Sequence, residues 1–211
     1  MHTKNPTPFF ELIRVRSSFA ELSRTRRLQL ATLSAVGALA CAAAWGAAAG
    51  SCFPALAVSN LVKVPLIVLL SAVAAAPLGI VAWKLLGDDT RASDLLLAHA
   101  RGLLAGAAIL GALVPIVAIY YHSSAVAGPL LAVGTALVAL VFGGMMFVRF
   151  MAQARGEVPG AWRVAVPVGM LVLQAAAMLQ LVVLVPPILP DKTIFRKGID
   201  GLTQKITEVQ P

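Results

Sequence analysis

Charge is scarce in this chain. Only 12% of its 211 residues are Asp, Glu, Lys or Arg, against about 25% in a soluble domain. A separate soluble domain is excluded by that scarcity, and a mean hydropathy of +0.88 points to a polytopic membrane protein. Histidine is sparse too: His2, His99 and His122 lie in three separated segments, so no metal-ligand spacing exists. The two cysteines, Cys41 and Cys52, form no C-x-x-C. On one helix they would stand about 16 Å apart, beyond the roughly 7 Å that a disulfide spans. A bridge would need a sharp turn near Gly50, and small packing residues are the simpler reading. Also missing are a serine nucleophile motif, a phosphate-cradling glycine loop and a paired acidic dyad. The chain is therefore expected to be non-enzymatic, with no cofactor.

What is present is long uncharged runs. Between Lys63 and Lys84 lie residues 64–83 without a charge, about 30 Å of helix, the thickness of a hydrocarbon core. The flanking lysines can reach water while their stems stay in lipid. Pro65 is expected in the first turn, where a missing N–H costs nothing. Pro77 lies inside, where it removes the partner of the Val73 carbonyl and should kink the helix.

The other runs follow in order. After Arg24, Arg26 and Arg27, charge vanishes from 28 to 62. That is too short for two spans, so one is expected over about 28–49, broken by Gly50, Ser51 and Pro54. Residues 53–62 then read as an interfacial or re-entrant segment. Ala47-Ala48-Ala49 resembles a signal-peptide cleavage site, but the 27-residue polar start is long for one, and cleavage is not expected. Gly87 to Arg91 signals a turn. Asp89 or Thr90 can cap the next helix, with Asp94 in its first turn. The uncharged run 102–148 holds two spans, about 100–120 and 128–149, with a turn at Tyr120 to Ser124. The paired tyrosines fit the aromatic belt. A loop containing Gly156, Pro159 and Gly160 precedes a fifth span over about 164–187. The expected spans are thus 28–49, 64–86, 100–120, 128–149 and 164–187, an all-α five-helix membrane bundle.

Both ends read as amphipathic. From Phe9 to Arg24, Leu12, Val15, Phe19 and Leu22 recur at helical spacing, and Arg14 and Arg16 accompany them. Together with Arg24, Arg26 and Arg27 they suit contact with an anionic membrane surface; packing on a partner protein and disorder are the competing readings. In the tail, Phe195, Ile199, Leu202 and Ile206 repeat in the same way.

Five spans put the two ends on opposite sides. With the N-terminus inside, the inner segments carry 12 of the 17 lysines and arginines and the outer ones 5. The positive-inside rule therefore favours a cytoplasmic N-terminus and an external C-terminus. That asymmetry also explains the net charge of +8, so nucleic-acid binding is not expected.

Candidate contacts come from small and polar residues. Gly46 and Gly50, and Gly102 and Gly106, have GxxxG spacing. Such glycines let helices approach closely, within one subunit or between protomers. Arg91, Asp94, His99 and Arg101 cluster at the start of the third span. Arg91 and Asp94, three apart, can pair, and a solvated helix start is the simplest reading. His99 points about 140° from Asp94, so an Asp–His catalytic pair is disfavoured. Gln174 and Gln180 are the notable polar groups of the fifth span. With Pro77 they are candidates for pore or substrate contact, although interhelical hydrogen bonds are the commoner use. No ionisable residue is expected at mid-membrane, which argues against a pump or proton-coupled carrier and less against a channel.

The layout, the Lys63-Val64-Pro65 start of the second span and the later Pro77 resemble the Ypt-interacting (Yip) superfamily of five-span proteins, in particular its bacterial relatives. The resemblance covers about residues 20–190. It implies a scaffolding or assembly role in a bacterial inner (plasma) membrane, as a homo-oligomer or a subunit of a larger complex. The chain lacks the long acidic N-terminal region of eukaryotic members, so binding of Rab-type GTPases is not carried over. A channel or carrier for a small solute is the alternative.

Overall fold

A computed structural model describes residues 23–85, 91–124, 126–155, 161–185 and 188. The amphipathic start with Arg14 and Arg16, the Gly87–Thr90 turn, the 156–160 loop and the tail from 191 lie outside them. Five helices fill the described residues: α1 Arg24–Ala49, α2 Pro54–Leu85, α3 Ala92–Ser123, α4 Ala127–Arg155 and α5 Ala161–Leu184. Each is long and apolar enough to cross a bilayer, and the chain is a multi-pass membrane protein. Their outward faces carry Leu, Val and Ile in quantity, as lipid contact requires.

The start of α1 is capped by Ser23, whose Oγ accepts the N–H of Arg26 at 3.3 Å. Its end is a tight reversal at Gly50, where the N–H bonds back to Gly46 and Ala47. Here a Cβ would sit 2.7 Å from the Ala57 backbone nitrogen, so only glycine lets α2 turn back this closely. No disulfide forms: Cys41 and Cys52 are free and half-buried.

Three expectations about helix ends are corrected. Residues 53–62 are not a separate interfacial segment, because α2 begins at Pro54 and runs unbroken for 32 residues. Proline is accommodated at a first helical position, and nothing from Ala55 to Val62 interrupts the helix. Pro65 consequently lies well inside α2, where it removes the partner of the Leu61 carbonyl. In α3, the helix continues through Ser123 rather than turning at Tyr120. Tyr121 is buried there and only Tyr120 faces outward.

Two apolar clusters show how the helices alternate. One joins Trp83 of α2, Leu95 and Leu97 of α3, Phe147 and Phe150 of α4, and Met170 of α5. The other joins Trp45 and Ala49 of α1, Val64 of α2, Val117 and Tyr121 of α3, and Ala132 of α4. Successive helices are therefore antiparallel, and α1 begins at the end of the bundle opposite to where α5 stops. Around the bundle the order is α5, α2, α1, α3, α4. Packing is dense between α3 and α4 and between α1 and α3, and thinnest where α4 and α5 close the ring.

Candidate functional site

At the start of α1 and α3, charge has moved indoors. Arg27, Asp94, His99 and Arg101 each expose 7% of their surface or less. Arg27 Nη1 lies 3.3 Å from Asp94 Oδ1, near in charge but off the alignment of a hydrogen bond. Asp94 does sit in the first turn of α3, yet its partner is Arg27 on α1 and not Arg91, which is exposed. The guanidinium of Arg101 stacks 5.1 Å from the centre of the Phe150 ring. The expected solvated helix start is thus a buried polar layer. Spacing along a single helix could not reveal it, because the ion pair joins two helices. Of the three arginines assigned to the membrane surface here, Arg24 and Arg26 are exposed and Arg27 is not.

The glycines hold helices together within one chain. A Cβ on Gly46 would meet the Asn60 carbonyl oxygen at 2.7 Å, so α1 and α2 touch through it. On Gly102 it would meet Phe147 Cβ at 2.7 Å, and on Gly106 the Ala139 carbonyl oxygen at 2.5 Å. Gly143 of α4 faces both, with its own added Cβ 2.9 Å from the Gly102 oxygen. Across the bundle, Trp45 Nε1 donates to Thr135 Oγ1 at 3.1 Å, and that hydroxyl donates to the Ala132 carbonyl.

Inside this frame is a cavity of about 100 Å³ to which all five helices contribute. One water needs roughly 10–15 Å³ of such space, so a small organic group fits. Its walls are apolar: Trp45, Val68, Leu103, Ala139, Phe147 and Leu171 are among them. Two polar side chains also line it, His99 and Gln174. Gln174 is 1% exposed and His99 5%. Neither ring nitrogen of His99 has a hydrogen-bond partner, and neither does Gln174 Oε1. The imidazole is instead held edge-on to Phe147, centroids 5.1 Å apart. Buried polar atoms without partners are costly, and two such groups facing one small space make it the candidate ligand site of the described residues.

Of the residues considered from the sequence for pore or substrate contact, only Gln174 reaches this cavity. Pro77 and Gln180 lie on the exposed outer surface. In sequence His99 belongs to a cluster whose readings are a solvated helix start or a cytoplasmic ligand or partner contact; lying about one and a half turns beyond Asp94, it lines the cavity.

No family model, curated protein or solved structure matches the chain.

Proposed function

We propose that this protein is a non-enzymatic carrier or channel that holds a small, mainly apolar solute at the centre of its bundle. The observation that carries the reading is the pair of unpartnered groups, His99 and Gln174, in a cavity built by five helices. A neutral imidazole offers one donor and one acceptor, and Gln174 Oε1 an acceptor. A hydroxyl satisfies both. The apolar walls supply the rest of the binding, as in most small-molecule sites. The assembly role expected from the sequence loses Gly46, Gly50, Gly102 and Gly106 as subunit contacts, since all four are occupied within the chain. Of the basic side chains described, Arg24, Arg26, Arg27, Lys84, Arg91, Arg101 and Arg149 lie toward one end of the bundle and Lys63 toward the other, which supports placing the richer end in the cytoplasm.

The test uses 1-butanol as probe and the histidine ring nitrogens, ¹⁵N-labelled, as readout in lipid nanodiscs. The His99 resonances should shift saturably and those of His122 should not. Gln174→Leu should raise the half-saturating concentration at least fivefold. A His99 signal indifferent to butanol overturns the proposal.

A further inference from the structure

The cavity has a neighbour. On the outer face of the bundle, between α4 and α5, runs an apolar groove of about 530 Å³, bordered by Val141, Met145, Val168 and Val172. Leu140, Gly144 and Leu171 line both the groove and the cavity. The two spaces are thus separated by one layer of side chains, at the place where the ring of helices is most thinly packed. Gly144 contributes no side chain to that layer. A Cβ there would meet Leu171 Cδ1 at 3.0 Å, so at this point the partition is the end of the flexible Leu171 side chain, with Leu140 beside it. In contrast, the cavity's wall between α3 and α4 is backbone against backbone at Gly102, Gly106 and Gly143.

From this we infer that the ligand is a single-chain, uncharged membrane amphiphile that enters sideways from the bilayer between α4 and α5. Its hydroxyl-bearing head reaches His99 and Gln174, and its acyl tail lies in the groove along Val141, Met145 and Val172. Both parts match in chemistry: the groove is apolar and faces lipid, and the only unpartnered polar atoms described on the cavity wall are those of His99 and Gln174. A charged head is disfavoured, because neither side chain carries an opposite charge and Arg101 and Asp94 do not line the cavity. The inference rests on the proposed solute-binding reading and specifies its substrate class and route.

The experiment uses full-length protein in phosphatidylcholine nanodiscs, with Cys41→Ala and Cys52→Ala, and Gly144→Cys with Leu171→Cys across the partition. The probe is a monoacylglycerol carrying a diazirine in its tail, and labelled residues are mapped by mass spectrometry. With the new thiols reduced, labelling should concentrate at Val141, Met145 and Val172. Oxidising the pair should lower it at least fivefold, and reductant should restore it in the same sample, which separates a closed path from a misfolded protein. Gln174→Leu in the reduced background should lower it as well. Labelling that neither oxidation nor Gln174→Leu changes is ordinary annular lipid contact and overturns the inference. If butanol still shifts His99 in the oxidised protein while monoacylglycerol labelling is unaffected, the cavity site stands and lateral access is wrong. Loss of both signals in the reduced parent protein removes the site itself.

Discussion

Helix α4 sits between α3 and α5 in the ring and meets them differently. Against α3 it places Gly143 and Ala139 opposite Gly102 and Gly106, and the backbones touch. Against α5 it places Gly144 opposite a leucine side chain, and a groove remains. The two adjacent glycines of α4 serve opposite outcomes. A glycine facing glycine lets main chains close, whereas a glycine facing a long side chain leaves space that the side chain only partly fills. The flank formed by α1, α3 and α4 is further bound by Arg27–Asp94 and by Trp45–Thr135. No comparable polar link joins α4 to α5 among the described residues. Association in lipid depends on packing and hydrogen bonds rather than on a hydrophobic drive, so the flank with the thinnest packing and no such bond among the described residues is the weakest seam of the ring.

Breaking the closed flank should have the largest effect. Asp94→Ala takes the carboxylate from a buried guanidinium, for which about 3–5 kcal/mol of destabilisation is expected. Unfolding of the detergent-solubilised protein by added SDS measures it, and a loss as small as that of a surface substitution would show that the ion pair holds nothing. Next, Gly106→Ala pushes a methyl against the Ala139 carbonyl, and overpacking of this kind costs about 1–3 kcal/mol. Gly144→Ala is its control on the open flank: Leu171 can swing aside, and the change should stay within about 0.5 kcal/mol. Equal penalties at the two glycines would erase the contrast between the seams. Smallest among the closed-flank changes is Trp45→Phe. It removes one donor, while the Thr135 hydroxyl keeps its bond to Ala132, and about 0.6 kcal/mol is typical of interhelical hydrogen bonds in membranes. A cost near zero would assign the α1–α4 link to ring packing alone.

Spans and their order were legible because hydropathy is a property of each segment by itself. Uncharged runs such as 102–148 say how often the chain crosses lipid without any knowledge of neighbours. The close-packing glycines were legible as a type, but the partners of Gly102 and Gly106 were not, since α4 presents Ala139 and Gly143 only once the two helices are aligned. Lys63 misled the placement of α2. A charge at the edge of an uncharged run looks like a helix boundary, although an α-helix tolerates lysine anywhere along an outer face. The buried layer of Arg27, Asp94 and Arg101 was invisible for the same reason as the glycine partners. Gln180 could have been set apart from Gln174 beforehand: six residues at about 100° each leave them about 120° apart, so both could not face one narrow interior.

Helix α2 is about 48 Å long by its rise per residue, against an apolar slab of about 30 Å. A rod of that length must lean or overhang. Asn60 lies three residues before Lys63, on the stretch available for overhang, and its Nδ2 donates to the Ile188 carbonyl at 2.8 Å. Ile188, just beyond α5, is thereby held to the first third of α2. That single bond adds a polar tie between α2 and the residue just beyond α5, on two helices that already pack side by side.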